Sequence, residues 1–277
     1  MNAINKIHVL LVLVILVTWV FTACTVSTEK MTSQPLRLVI INNTSPDSPY
    51  ATYPESVQAT FTRIQSLNPV FMMHTGNIIH GGYSWMGVRS PDMHAQYKRF
   101  YRHAEKLTTL LYTTVGPLDT LNRDVSIYSE HTGYKSYYSF NYGNTHFVVL
   151  NSTEKEDTGI TDTQYKWLSE DLRESSKCCT IIVFMYHCPL NGNTGRNRDP
   201  EPAFQGAEKI HSLLSLYGVK AVFSSDGKSR SSFTHDNITY NQVPCVYPEK
   251  NRYRNNNQFY IIDLLEDSLD ISGHSIY

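Results

Sequence analysis

The sequence lacks an excess of charge of either sign. It has 24 Lys and Arg against 25 Asp and Glu, which gives a formal net charge of −1 over 277 residues. No long block of like charges and no basic patch stands out, so we expect no nucleic-acid partner. The sequence also lacks internal repeats and low-complexity segments. Removing 24 N-terminal residues from 277 leaves 253, a length that predicts one large α/β domain.

The N-terminal apolar run is too short for an ordinary membrane-spanning helix. It covers residues 9–23, follows Lys6, and falls below the roughly 20 residues that a span requires. This pattern is typical of a signal peptide, which we predict over residues 1–24. Residues 25–36 are small and polar and are interpreted as a tether to a domain over residues 37–277.

The cysteine that ends this run carries a further signal. The stretch FTAC at residues 21–24 resembles a bacterial lipobox, with Ala23 before the cysteine, although Phe21 stands where Leu is usual. We therefore predict that Cys24 is lipidated and that the protein is an exported lipoprotein of the cell envelope. It would be held by its lipid on the periplasmic or surface side of a bacterial membrane. An ordinary secretory signal, giving a secreted protein, and an uncleaved anchor remain open.

Four cysteines follow the signal segment, and their pairing stays open. An even number of cysteines in an exported protein allows two disulfides. Two of the four are sequence neighbours and are poor partners for each other. Buried free thiols are the alternative. The four are Cys178, Cys179, Cys188 and Cys245.

The order of strands and helices predicts strands joined by crossover helices. The apolar stretch LRLVII at 37–42 indicates a buried strand, and a helix at 54–67 follows it. Further on, Thr161 and Gln164 indicate a capping box at a helix start. The remaining predicted elements are strands at 69–75, 109–115, 179–187 and 219–225, helices at 91–107, 161–176 and 208–218, a hairpin within 134–153, and closing strands in the tail.

These segments together resemble the calcineurin-like metallophosphoesterases. The resemblance covers nearly all of residues 37–277. Its most specific stretches are YYSFNYGNTHFVVLNST and the helix that follows it, within 137–172, and FMYHCPL at 184–190. It implies a single-domain, four-layer α/β/β/α sandwich. It also implies a site at the strand ends where two divalent ions such as Mn, Fe or Zn act on phosphate esters.

The residues at the family's metal-binding positions are mostly not metal ligands. The family's first loop reads Asp-x-His, its second Gly-Asp, its third Gly-Asn-His followed by an acid, its fourth His, and its fifth Gly-His-x-His. Only the fourth loop keeps its ligand here. The corresponding residues are Asn43 and Ser45; Asn77; Pro117, Leu118 and Asp119; His187; and Asp226 and Lys228.

This replacement removes the charge that a two-metal site needs. Two divalent cations about 4 Å apart repel by roughly 17 kcal/mol at an effective dielectric of about 20. Neutral amides at positions 43 and 77 would offset that repulsion poorly. Leu118 also removes the expected general acid. We therefore predict no catalytic residue, no metal cofactor and no metal ligand, with His187 as the surviving candidate.

The resemblance and its losses together predict an exported pseudo-phosphoesterase that binds an unknown ligand or protein partner. The alternative is an active phosphoesterase for monoesters or diesters, working with one metal or a displaced site. A structural surface protein is a third possibility. Asp119, Asp226 and Lys228 are expected near the cleft, where Lys228 can pair with a carboxylate, or can bind an anion together with Arg230 and the two amides. His74 is expected in the core and His80 in solvent.

Overall fold

The computed structural model describes residues 35–105, 107–155, 159–176, 180–192, 200–225, 231–246, 258–265 and 268–275. Several predictions fall outside these residues: the signal peptide with Cys24, most of the tether, Cys178, Cys179, Asp226, Lys228 and Arg230. Within the described ranges no helix has the length and apolar character that a membrane span requires.

Thirteen strands and five α-helices alternate along these residues. Short 3₁₀ turns also occur at Ser84–Met86 and Pro117–Asp119. The strands are β1 Leu36–Ile41, β2 Phe71–His74, β3 Leu110–Thr113, β4 Tyr138–Tyr142, β5 Thr145–Val149, β6 Thr180–Phe184, β7 Leu190–Asn191, β8 Glu201–Pro202, β9 Ala221–Ser224, β10 Ser231–His235, β11 Ile238–Gln242, β12 Gln258–Leu264 and β13 Leu269–Ser275. The helices are α1 Glu55–Leu67, α2 Ser90–Ala104, α3 Ser126–Thr132, α4 Asp162–Ser175 and α5 Ala207–Leu216.

The strands form two large mixed sheets and one small hairpin. The first sheet has the order β13-β12-β1-β2-β3, and the second has the order β10-β11-β9-β6-β5-β4. In the first sheet β1, β2 and β3 are parallel, and α1 and α2 connect them. In the second sheet β5, β6, β9 and β11 are parallel. Parallel strands that follow one another need such crossover connections, which cover the faces of the sheet.

Three apolar clusters fill the spaces between four layers. One joins α1 and α2 to the outer face of the first sheet, with Val57, Phe61 and Ile64 buried along α1 at helical spacing. A second joins α4 and α5 to the outer face of the second sheet. The third lies between the two sheets, where Phe147, Phe184 and other aromatic rings stack. This arrangement is the predicted four-layer α/β/β/α sandwich, so the predicted fold class is confirmed.

The structure differs from the sequence-based expectations at two local points. Helix α3 was not predicted from the sequence. The capping box is only half formed: Thr161 Oγ1 accepts the N–H of Gln164 at 3.2 Å, but the Gln164 side chain does not return to Thr161. It instead bonds the backbone of Asn151 through both ends of its amide. Glu154 accepts the Thr161 N–H at 3.0 Å, so the helix start is tied to the preceding strand end.

Helix α5 offers a direct test of this packing. Leu214 is fully buried against the second sheet, whereas Leu216, on the same helix, is 74% exposed. We expect Leu214→Ala to lower the free energy of unfolding by about 2–5 kcal/mol, because it leaves a cavity. The matched change Leu216→Ala should alter it by less than about 0.5 kcal/mol. Urea unfolding measures both, and equal losses for the two variants would contradict the packing.

Candidate functional site

The candidate site lies where parallel strands of both sheets reach their carboxyl ends. Ligand sites of α/β sheets commonly form at this edge. The loop after β1 holds Asn43 and Ser45, the loop after β2 holds Asn77, and the loop after β3 holds residues 117–119. His187 follows β6. The loops of the first sheet are hydrogen-bonded to one another, because the Asn43 N–H donates to Gly76 and the Ser45 N–H donates to Asn77.

Asp119 joins the loop after β2 to the loop after β3. Its side chain is fully buried. Oδ2 accepts the N–H of Asn77 at 2.7 Å and that of Gly116 at 2.8 Å. Oδ1 accepts the N–H of Ile78 at 2.7 Å and that of Ile79 at 3.2 Å. The carboxylate therefore acts as an internal brace, and its four N–H bonds use both oxygens.

Two opposing effects act on the ionisation of Asp119. Burial raises the pKa of its carboxyl to about 7, while the four backbone N–H groups that bind it act to lower the pKa. Each N–H donates to a carboxylate oxygen, so all four hydrogen bonds favour the ionised form of Asp119. The sequence analysis placed Asp119 near the cleft as a possible partner of Lys228. The structure instead directs the carboxylate at the backbone.

Asn77 is held at both ends of its side-chain amide. It is 6% exposed and adopts a left-handed backbone conformation with φ of 56°, which Asn tolerates better than most residues. Oδ1 accepts the N–H of Leu118 at 3.0 Å, and Nδ2 donates to the hydroxyl of Tyr186 at 2.7 Å. The Asn77 amide, for which the sequence resemblance predicts the position of a bridging carboxylate, thus bonds protein groups on both sides.

The ring of Tyr186 packs over the two glycines of these loops. A Cβ on Gly76 would lie 2.9 Å from Tyr186 Cδ2, and a Cβ on Gly116 would lie 3.0 Å from the same atom. Gly76 also has φ of 105°, which favours glycine. Sequence reasoning missed Tyr186, and its only signal was its place directly before His187. An aromatic ring therefore lies against the backbone where the family motif supplies ligands.

The remaining polar residues of the first loop pair with each other. Ser45 Oγ donates to Asn43 Oδ1 at 2.7 Å, and Asn43 has φ of 52°. Pro117 begins the 3₁₀ turn that ends at Asp119, and Leu118 is half-buried. Cys245 Sγ lies 3.5 Å from the carbonyl oxygen of Asn43.

His74 fastens the first loop to the second and is neutral. It is fully buried, as expected for a strand residue. Its Nδ1 accepts the N–H of Gly76 at 3.1 Å, so its Nε2 carries the proton and donates to Thr44 Oγ1 at 3.0 Å. Burial lowers the pKa of His74 to about 3. His80, expected in solvent, is half-buried with its ring 2.9 Å from the carbonyl oxygen of Pro46, so that expectation was wrong.

His187 lies at the second sheet's side of the site. Its backbone N–H donates to Ser152 Oγ at 2.8 Å, and its ring meets that of Tyr186 edge-to-face at 4.8 Å between centroids. Asn43, Asn77 and His187 therefore all lie in loops at the carboxyl ends of the strands. Tyr186 stands between the last two.

The donor groups at this edge do not fit a pair of divalent cations. At the described motif positions and Tyr186 they are one imidazole, two amides, two hydroxyls and a carboxylate that already accepts four N–H bonds. Hard divalent ions at close spacing need several anionic ligands. The Asp119 oxygens cannot turn to an ion without leaving four buried N–H groups unpaired.

Comparisons with known proteins agree on a phosphatase-like structure. A dimetal phosphatase from Danio rerio superposes with a TM-score of 0.67 and 13% identity, over 88% of this chain and 97% of that chain. Purple acid phosphatase PPD1 from yellow lupin seeds superposes with a TM-score of 0.60 and 12% identity, over 88% of this chain and 52% of that chain. GAP50, described as the anchor in the inner membrane complex of Plasmodium, superposes with a TM-score of 0.57 and 13% identity, over 87% of this chain and 85% of that chain.

One curated protein shares a segment of sequence with this chain. Purple acid phosphatase 13 from Arabidopsis thaliana is 36% identical over 117 residues, which is 40% of this chain. The match spans only 20% of that relative's length. No protein-family model matches the chain.

The hydrogen bonds at Asp119 predict a large loss of stability when one carboxylate oxygen is replaced by an amide nitrogen. In Asp119→Asn an amide NH₂ would face two backbone N–H donors. We expect the free energy of unfolding to fall by about 3 kcal/mol or more. The control is Asp124→Asn, because exposed Asp124 accepts a single N–H, from Ser126, and an amide oxygen can accept it too. Urea unfolding within about 0.5 kcal/mol of wild type for Asp119→Asn would refute the brace.

The buried neutral imidazole predicts a pH dependence of stability. The folded pKa of His74 is about 3, below the unfolded value of about 6.5. Its contribution is therefore fully present above about pH 6.5 and is lost as the pH falls towards 3, at up to about 1.4 kcal/mol per pH unit. His74→Gln removes this titration. The gap in unfolding free energy between wild type and variant should shrink from pH 7.5 to pH 5; a constant gap would contradict the assignment.

Proposed function

We propose that this chain, which has the fold of the calcineurin-like metallophosphoesterases, is an exported pseudo-phosphoesterase that binds a ligand or partner without a two-metal centre. The carrying observation is the pairing of Asn77 with Leu118 and Tyr186. A bridging ligand must turn oxygen lone pairs towards two ions. Here one end of the side chain is an amide nitrogen, and the oxygen at the other end accepts a backbone N–H.

The fold part of this statement rests on the comparisons. The resemblance drawn from the sequence motifs is confirmed at the level of the fold, because solved phosphatases superpose over 88% of the chain. Identities of 12–13% carry the architecture and not the activity. The Danio rerio protein is named a dimetal phosphatase, and that name applies to the Danio rerio protein alone. Activity, substrate and partner of this chain stay proposals.

Charge supports the loss of the metal pair. Among the described residues at the motif positions Asp119 carries the one carboxylate, and four backbone N–H groups already stabilise it. Asn43, Ser45 and Asn77 are neutral. Two divalent ions placed beside them would add about four positive charges with little compensation, and their mutual repulsion is of order 10 kcal/mol or more.

A binding role suits a surface of this kind. Asn43, Tyr186 and His187 are partly exposed at the carboxyl ends of the strands, where an amide, an aromatic ring and an imidazole can contact a ligand or a protein segment. The predicted lipid anchor at Cys24 would hold the domain at a membrane. One similar structure, GAP50, is named as the anchor in the inner membrane complex of Plasmodium, so a protein of similar fold can serve as an anchor.

The second candidate is a phosphoesterase with a single metal. It is favoured by His187, which lies at the position of a family ligand, and by the named phosphatases among the similar structures. One imidazole with water ligands binds a divalent ion weakly, so this candidate needs further donors. Asp226 and Lys228, outside the described residues, also belong to the corresponding loops.

Hydrolysis of a chromogenic phosphomonoester and phosphodiester under added manganese separates these functions. We expect purified protein to give no turnover above a protein-free blank, in wild type and in His187→Ala alike. Turnover that wild type shows and His187→Ala loses would overturn the proposal. A binding module should also gain thermal stability with its ligand in the absence of metal. A purely structural protein should show neither effect.

A further inference from the structure

We propose that His211, His235 and Asp236 form a binding site for one divalent transition-metal ion of the zinc type. The three residues meet where α5 packs against the turn between β10 and β11, at the edge of the second sheet. Their potential ligand atoms all lie within 4.8 Å of one another. Two imidazoles and a carboxylate are the donor set that zinc, cobalt and iron(II) sites use.

The three side chains would need to move only a little to coordinate one ion. His211 Nε2 lies 3.0 Å from Asp236 Oδ2, and His235 Nε2 lies 4.0 Å from the same oxygen. The two imidazole rings are 4.9 Å apart between centroids. Ligands about 2.0–2.2 Å from a tetrahedral zinc are roughly 3.3 Å from each other. Small rotations of side chains on fixed backbone therefore suffice.

Tyr240 orients the buried imidazole of this set. The hydroxyl of Tyr240 lies 2.7 Å from His211 Nδ1, and both residues are buried. Metal-binding histidines commonly hold their second ring nitrogen in such a hydrogen bond, which fixes the ring and the tautomer. Without an ion, His211 Nε2 donates to Asp236 Oδ2 at 3.0 Å, so Nδ1 accepts from Tyr240. An ion on Nε2 would take the place of that proton, and Nδ1 would then carry the proton and donate to Tyr240. Tyr240 is thus a positioning residue, and its ring stacks on that of Phe233.

A tight turn presents the other two ligands side by side. Asp236 and Asn237 have φ of 47° and 63°, and His235 pairs with Ile238 across the hairpin. Positive φ at both central residues is typical of a two-residue hairpin turn, which holds its flanking residues rigidly. The Asp236 side chain is 57% exposed, so water can complete the coordination of an ion. One carboxylate would reduce its charge from +2 to +1.

This site is separate from the loops at the carboxyl ends of the strands. Strand β11 is parallel to β9, with Thr239 opposite Ala221 and Gln242 opposite Ser224. The turn before β11 therefore lies at the amino end of β9, and the candidate functional site lies beyond its carboxyl end. An ion here would clamp the edge hairpin to α5 and would not replace a lost catalytic ion.

A second histidine cluster fits an ion less well. His94, Glu130 and His131 lie where α2 packs against α3. His94 Nδ1 and His131 Nε2 are 2.8 Å apart. The positive charge of Lys98 acts on His131 and opposes the binding of a cation there. This cluster serves as a matched control.

Titration of EDTA-treated full-length protein with Co²⁺, followed by visible absorption and thermal unfolding, tests the site. We expect one Co²⁺ to bind per chain and to raise the melting temperature. Zn²⁺ should displace the bound Co²⁺ and raise the melting temperature as well. His235→Ala and Asp236→Asn should each weaken binding at least about tenfold, and Tyr240→Phe by about 10–100-fold. His94→Ala and His187→Ala should bind as wild type does.

Three results would overturn the proposal. The first is no saturable Co²⁺ or Zn²⁺ binding. The second is binding that His235→Ala and Asp236→Asn both leave unchanged. The third is binding that His94→Ala or His187→Ala abolishes, because the ion would then lie at another cluster. Asp236→Asn keeps the turn residue nearly isosteric, so it decides the question even where loss of His235 impairs folding.

Discussion

A buried carboxylate bound by backbone N–H groups from two loops holds the candidate site in shape. Asp119 fixes the backbone at Asn77 and Gly116, and so fixes the direction in which the Asn77 amide points. Converging N–H dipoles can stabilise one negative charge without a cation. A second set of hydrogen bonds, from Thr44 through His74 to Gly76, joins the neighbouring loops. In the family that the fold resembles, divalent ions cross-link these loops, and we propose that in this chain the hydrogen bonds take over that role.

Most of the fold could be predicted because its signals are local. Apolar strands such as β1 and β6, and helices with a buried stripe such as α1, carry their periodicity in the sequence itself. The short helix α3 was missed, since seven residues give barely two turns of pattern. The return bond of the capping box was also wrong, because Gln164 bonds the strand end at Asn151 instead. That choice depends on tertiary packing, which local pattern does not contain.

Less of the candidate site than of the fold could be predicted from the sequence. The sequence could indicate that Asn43, Asn77 and His187 follow the ends of strands, because the order of strands determines where each loop emerges. The inward turn of Asp119 and the packing of Tyr186 over two glycines were not predictable. They depend on contacts between residues 42 and 109 positions apart in the chain. The cluster of His211, His235 and Asp236 was missed for a similar reason, since His211 lies on a helix and Asp236 lies 25 residues further on, in a hairpin.

The central claim is that protein hydrogen bonds replace a metal pair at the carboxyl ends of the strands. Anomalous diffraction from crystals soaked in manganese tests it most directly. The account predicts no anomalous peak between Asn43, Asn77 and His187, with Nδ2 of Asn77 still on the Tyr186 hydroxyl. Two peaks there, about 3.5–4 Å apart, with Tyr186 displaced from Gly76 and Gly116, would contradict it.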